Sequence, residues 1–224
     1  MLALQGDFEA HAKVLTELGA EARIVRVPAD LEGLDGLVIP GGESTTMTLG
    51  IEREGLAEPL REFVRSGRPT LGTCAGLIML DRDHLGLLDV TVRRNAFGRQ
   101  LNSFEAELDF EGTPLTAVFI RAPWVEEHGE GVEVLAEVDG HPVAVRQGNM
   151  LAVAFHPELT AERFIEVSIR PRRALCTRAC FLGSARDSSR AFTSAMIAIR
   201  TSELSAAHSE VGGTQSSCAS PARS

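Results

Sequence analysis

The chain predicts an α/β fold of three layers, a mostly parallel central sheet flanked by helices, followed by a divergent C-terminal tail. Three observations carry this. Short apolar runs alternate with amphipathic segments over the first 85 residues, glycine-rich turns follow several of those runs, and composition breaks sharply near residue 160. With 224 residues, 44% hydrophobic and 24% charged, the chain is long enough to bury one substantial core. No stretch approaches the roughly 18 to 20 consecutive apolar residues of a membrane-spanning helix. Asp7 and Glu9 stand where a signal peptide would carry a basic and then an apolar run. The expectation is a soluble, cytoplasmic protein with no membrane partner. A formal charge of −9 argues against nucleic acid, which needs a basic face.

Taken in order, MLAL, EARIVRV, DGLVIP and RPTLG read as successive strands. Between the first two, Phe8, Ala12, Leu15 and Leu18 form one helical stripe, and Gly19 follows where the helix would end. GLAEPLREFVRSG supplies a second helix before RPTLG. After residue 85 the segments LLDVTV, FEAELDF, AVFI, VEVLAEV, HPVAVR and MLAVAF are β-rich with period-two stretches, compatible with antiparallel additions to the sheet. The domain therefore spans residues 1–160, which hold 13 basic and 26 acidic side chains, whereas residues 161–224 hold 9 and 5. Residues 161–202 are ambiguous, with some helical character. From about Glu203 onward too few large apolar residues remain to offset ordering entropy, so 203–224 reads as a disordered tail.

Three segments at predicted strand ends can carry chemistry. Gly72-Thr73-Cys74-Ala75-Gly76 lies between a buried strand and the apolar LIML, the strand–turn–helix pattern of a nucleophile elbow. There a thiol gains thiolate character from the helix N-terminus and any nearby imidazole. The pentapeptide alone fits a small apolar residue at a helix start equally well. His156-Pro157-Glu158 follows MLAVAF, so a histidine with a carboxylate two residues on stands at the edge where α/β sheets carry their sites. By itself an HPE tripeptide is more often a turn. Pro40-Gly41-Gly42-Glu43-Ser44-Thr45-Thr46 places a glycine turn after DGLVI, opening into a helix capped by Ser or Thr, with backbone N–H groups suited to an oxyanion hole. It lacks the Gly-Lys-Ser/Thr ending of a nucleotide-binding loop. Cysteines at 74, 176, 180 and 218 give no zinc-ligand pattern, and no metal site is expected. His11, His84, His128, His141 and His208 lack a strand-end setting and read as surface or structural.

Together, PGGEST, GTCAG and HPE resemble the triad-type, class I glutamine amidotransferases. LQGDFEAH, RNAFGRQ, FIRAP and AFHPELT narrow the resemblance to the glutaminase subunits of pyridoxal 5'-phosphate synthase, over residues 1 to about 160. The resemblance implies a hydrolase that releases ammonia from L-glutamine and passes it to a barrel-shaped, oligomeric synthase subunit making the vitamin B6 coenzyme. It implies Cys74 as nucleophile, His156 as base, Glu158 as the residue orienting His156, and the N–H groups of Gly42 and Ala75 as oxyanion donors. Each donor would be worth about 3 kcal/mol. Gly42, Glu43, Ser44, Arg94, Ile120 and Arg121 match the glutamine-contacting positions, where an arginine suits the substrate α-carboxylate. No metal or organic cofactor is implied for this subunit.

The chain departs from that pattern in three places: few residues precede LALQGD, the stretch between the nucleophile helix and RNAFGRQ is shorter, and an Arg- and Ser-rich tail replaces the closing helix. The expectation for the tail is a shifted reading frame or a fused extension. These departures keep three alternatives open: a catalytically impaired interaction subunit of the same complex, the glutaminase of another amidotransferase such as the histidine-biosynthesis one, and a different cysteine hydrolase on the same plan.

Overall fold

A computed structural model describes residues 1–97 and 103–160. The segments predicted at 161–202 and 203–224, the cysteines at 176, 180 and 218, and the last three residues of RNAFGRQ lie outside the described residues.

The centre is a five-stranded sheet in the order β1-β2-β9-β8-β7, built from β1 (Leu37–Ile39), β2 (Thr70–Thr73), β7 (Glu133–Val138), β8 (His141–Gln147) and β9 (Met150–Val153). β1, β2 and β9 run parallel, while β8 pairs antiparallel with β9 and β7. Continuous apolar runs such as MLAVAF suit a strand covered on both faces, and residues 150–158 are buried without a break. The expected antiparallel additions are thus partly right. β7 and β8 extend the central sheet, but β4 (Phe104–Phe110) with β5 (Thr113–Phe119), and β3 (Val90–Arg93) with β6 (Trp124–His128), form separate two-stranded sheets. The turns at Glu111-Gly112 and Asp139-Gly140 have positive φ at both positions, the geometry that closes two-residue hairpins.

Helices α1 (Phe8–Glu17), α2 (Ser44–Arg53), α3 (Ala57–Arg65) and α4 (Ala75–Leu80) connect these strands. α4 rests on β1, β2 and β9, and α2 packs on α4. One apolar core holds Leu2, Ile39, Met47, Leu60, Leu77, Phe119 and Phe155, all fully buried. Phe119 stacks on Phe104 at 4.8 Å and meets Phe155 edge-on at 5.8 Å, joining the β4–β5 hairpin to the end of β9. Among the described residues, no helix is long and apolar enough to cross a membrane.

Three expectations change. MLAL and EARIVRV do not form full strands: Leu2 and Val25 make one isolated parallel bridge, with Leu2 N–H bonded to Val38 O. Ala3 N–H donates to Val25 O at 2.9 Å and Val25 N–H to Met1 O at 2.8 Å. The buried side chains of α1 are His11 and Val14, with Phe8, Ala12 and Leu15 only half-buried. β6 was not anticipated, since WVEEH lacks strand alternation; its pairing with β3, from Arg93 opposite Trp124 to Val90 opposite His128, makes it.

Candidate active site

The parallel half of the sheet decides which loops meet. Ile39 pairs with Gly72, Gly72 with Ala152, and Thr73 with Val153, so β1, β2 and β9 end side by side at one edge. The segments leaving that edge are Pro40–Thr46, Cys74–Gly76 and Ala154–Glu158, the three singled out by sequence. Cys74 sits at the turn itself with φ 48 and ψ −104, its N–H bonded to Val153 O at 2.8 Å, and it precedes the first residue of α4. A positive φ in a side-chain-bearing residue is strained, and a rigid frame holds it here. The flanking glycines serve close approach: a methyl group at Gly76 would overlap the Ile39 carbonyl, and one at Gly72 would lie 2.8 Å from the Gly76 carbonyl. The positive φ of the turn belongs to Cys74, not to either flanking glycine.

His156 and Glu158 are buried beside Cys74. Nδ1 of His156 donates to Glu158 Oε1 at 2.6 Å, because a carboxylate only accepts, and the other ring nitrogen is left for proton exchange. A methyl group at Gly41 would come within 2.8 Å of His156 Cε1 and 3.3 Å of Cys74 Cβ, so the glycine turn closes on the histidine and cysteine together. Burial opposes charge on His156, but hydrogen bonds and negative charge from Cys74 and Glu158 outweigh it and raise its pKa to about 10. Burial pushes the Glu158 carboxyl up. The hydrogen bond from His156 and the charges of His11 and His156 override that and hold it below its usual range.

The predicted substrate contacts fall around the same edge. Gly42 is exposed on the turn, and a side chain there would collide with Gln5, whose Oε1 accepts from Glu43 N–H at 2.5 Å. The cap of α2 is Glu43 rather than Ser or Thr: its carboxylate accepts from the N–H groups of Thr45 at 3.1 Å and Thr46 at 2.7 Å. The Thr46 hydroxyl and backbone N–H, with a smaller share from Thr45, hold Glu43 at a pKa of about 2. Arg94 reaches Glu43 Oε1 at 3.3 Å, so these two positions are linked. Ser44 is buried at the start of α2. Ile120 is half-buried and Arg121 exposed with φ 47; they follow Val118, whose carbonyl accepts from His156 N–H at 2.9 Å. Ala75 is the first residue of α4, where a backbone N–H has no partner within the helix. Among the described residues, Asp7, His156 and Glu158 are the one group with ligand atoms close enough to share a metal ion.

Residues 1–172 match the model of the SNO glutamine amidotransferase family. The chain belongs to that family. It is 56% identical over 174 residues to the pyridoxal 5'-phosphate synthase subunit PdxT of Mycobacteroides abscessus, covering 73% of this chain and 90% of that one. The PdxT of Geobacillus kaustophilus is 54% identical over 169 residues, 71% of this chain and 86% of its own. A crystal structure of a glutamine amidotransferase superposes with a TM-score of 0.67 at 49% identity, covering 71% of this chain and 89% of that chain. PurLQS of Thermotoga maritima, at 18% identity and a TM-score of 0.58 over 73% of this chain and 89% of its own, shares the fold. The class I glutamine amidotransferase fold expected from the sequence is therefore the fold of this member of the family.

Sequence reasoning missed Gln5 and His11. His11, expected at the surface or in a structural role, is 1% exposed, with Nε2 3.1 Å from Thr73 Oγ1 and 3.2 Å from Glu158 Oε2. The available signal was LQGDFEAH itself, in which a histidine one turn into a helix follows a glycine turn.

Proposed function

We propose that this chain is the glutaminase subunit of a pyridoxal 5'-phosphate synthase, hydrolysing L-glutamine to L-glutamate and ammonia, with residues 1–160 as its catalytic domain. The observation that carries the reading is a cysteine held at a strained strand-to-helix turn beside a buried histidine that is itself anchored by a carboxylate. A protonated His156 gives Cys74 an adjacent cation, the setting in which the thiolate is the attacking form. Sγ attacks the side-chain amide carbon of glutamine, and the oxygen becomes an oxyanion facing the N–H groups of Gly42 and Ala75. The adduct collapses as His156 protonates the leaving nitrogen, releasing ammonia and leaving a glutamyl thioester. His156 then takes a proton from water, hydroxide attacks the thioester carbon, and the adduct collapses to glutamate with the Cys74 thiolate restored beside a protonated His156. Glu158 keeps His156 in the tautomer and orientation that both steps need. Gly42, Glu43, Ser44, Arg94, Ile120 and Arg121 surround the substrate, and the Arg94 or Arg121 guanidinium meets its α-carboxylate.

Ammonia passes to a barrel-shaped, oligomeric synthase subunit in the cytoplasm, a partnership supported by the close PdxT relatives. The chemistry requires no metal or organic cofactor on this chain. The test is ammonia release from L-glutamine by the full chain, alone and with the synthase subunit, with Cys74→Ala as the blank. Release that depends on Cys74 and on the partner is expected. Undiminished release by Cys74→Ala ends the triad reading, and binding of the synthase without any turnover favours an impaired interaction subunit.

A further inference from the structure

Outside the proposed triad, His11 and Asp81 are the deeply buried titratable side chains among the described residues. Asp81 is accounted for locally, since its carboxylate accepts from the backbone N–H groups of Asp83 and His84 and from the His84 ring. His11 is different. Its Nδ1 lies 2.9 Å from the Asp7 carbonyl, which only accepts, so Nδ1 carries a proton and donates. Its Nε2 points inward at two oxygens, the Thr73 hydroxyl at 3.1 Å and Glu158 Oε2 at 3.2 Å. Oε2 has no other partner: among the described residues no donor of good hydrogen-bond geometry reaches this fully buried carboxylate oxygen, and the His11 ring is the polar group beside it.

We propose that His11 is a positioning residue of the glutaminase site, holding Glu158 Oε2 so that Oε1 stays directed at His156 Nδ1; this rests on the Cys74–His156–Glu158 reading above. The terminal torsion of a glutamate is broad, so a carboxylate anchored through one oxygen turns easily. Anchored through both, between His11 on α1 and His156 after β9, it does not. The ring reaches across from α1 to the residue before the nucleophile and to the carboxylate behind the base. His11 Nε2 is the ring atom beside Oε2, at 3.2 Å, and an oxygen with no other partner among the described residues is costly to bury alone.

The experiment compares three variants in ammonia release by the full chain assembled with the synthase subunit. In His11→Gln the amide nitrogen falls near the position of Nε2 and can still donate to Oε2. In His11→Asn it falls near Nδ1, keeps the Asp7 contact and cannot reach Glu158. His11→Leu removes both. His11→Gln is expected to keep kcat within about threefold, whereas His11→Asn and His11→Leu lose about tenfold or more, the scale of one hydrogen bond to a charged group, with KM for glutamine within twofold. In a Glu158→Ala background the loss from His11→Asn shrinks to less than about twofold. A residue that only anchors α1 would lower the melting temperature and cost the same factor in both backgrounds. Equal kcat for the Gln and Asn variants, or an undiminished loss in Glu158→Ala, overturns the proposal. If His11→Leu fails to fold, the Gln and Asn pair still decides. Activity in Cys74→Ala would instead mean that the triad reading had failed.

Discussion

Glu158→Gln keeps the size and shape of the side chain and removes its charge, so it isolates what the carboxylate does for His156. The wild-type oxygen accepts from Nδ1 at 2.6 Å, with the Glu158 side chain fully buried. A hydrogen bond between charged groups is worth about 1.5–3 kcal/mol, which at about 1.4 kcal/mol per decade predicts a roughly 10- to 150-fold fall in kcat. Cys74→Ala and His156→Ala remove groups that exchange bonds or protons and should cost much more. The negative charge of Glu158 is also among the causes that hold His156 near a pKa of about 10, so its loss should move the alkaline limb of the kcat/KM profile to lower pH. The assay is continuous ammonia detection with the synthase subunit present, from pH 6 to about 10. A Glu158→Gln enzyme as dead as Cys74→Ala, or one within twofold of wild type with an unmoved alkaline limb, would refute the orienting role.

Gly76→Ala should destabilise the fold by about 3 kcal/mol, because the added methyl overlaps a backbone carbonyl that cannot swing aside. At about 2–4 °C per kcal/mol that is a melting temperature lower by roughly 6–12 °C, read by calorimetry. Gly41→Ala places its methyl 2.8 Å from His156 Cε1 and should cut kcat at least tenfold, with a smaller effect on melting than Gly76→Ala. Stability should also depend on pH through the site. The folded pKa of His156 lies above its ordinary 6.5, so its contribution is complete below about 6.5 and fades as pH rises toward 10. The Glu158 pKa lies below its ordinary 4.5, so its contribution is present above that value and is lost at more acid pH. Melting should therefore be highest between about pH 4.5 and 6.5, and His156→Asn should flatten the alkaline decline.

The site was legible because its parts are local. GTCAG, PGGEST and HPE each follow an apolar run, and a parallel strand delivers its following loop to one sheet edge whatever else the fold does. What was not legible depends on partners far along the chain. Glu43 caps α2 because the turn presents its carboxylate to Thr45 and Thr46, a role that composition assigns to the neighbouring serine or threonine. β6 exists through its pairing with β3, and MLAL is reduced to one bridge with Val25, far along the chain.

His11 shows the division most clearly. The sequence by itself determined an α/β chain, a cysteine at a strand-to-helix turn and a histidine with its carboxylate at a later strand end, since alternation and punctuation are properties of neighbouring residues. Only the tertiary structure decided that β1, β2 and β9 lie side by side, that Cys74 rather than a glycine takes the positive φ, and that a histidine on α1 meets Thr73 and Glu158. Those contacts join residues as far as 147 positions apart, His11 to Glu158. Packing fixes them, and no local pattern in the chain records which buried oxygen a distant ring will face.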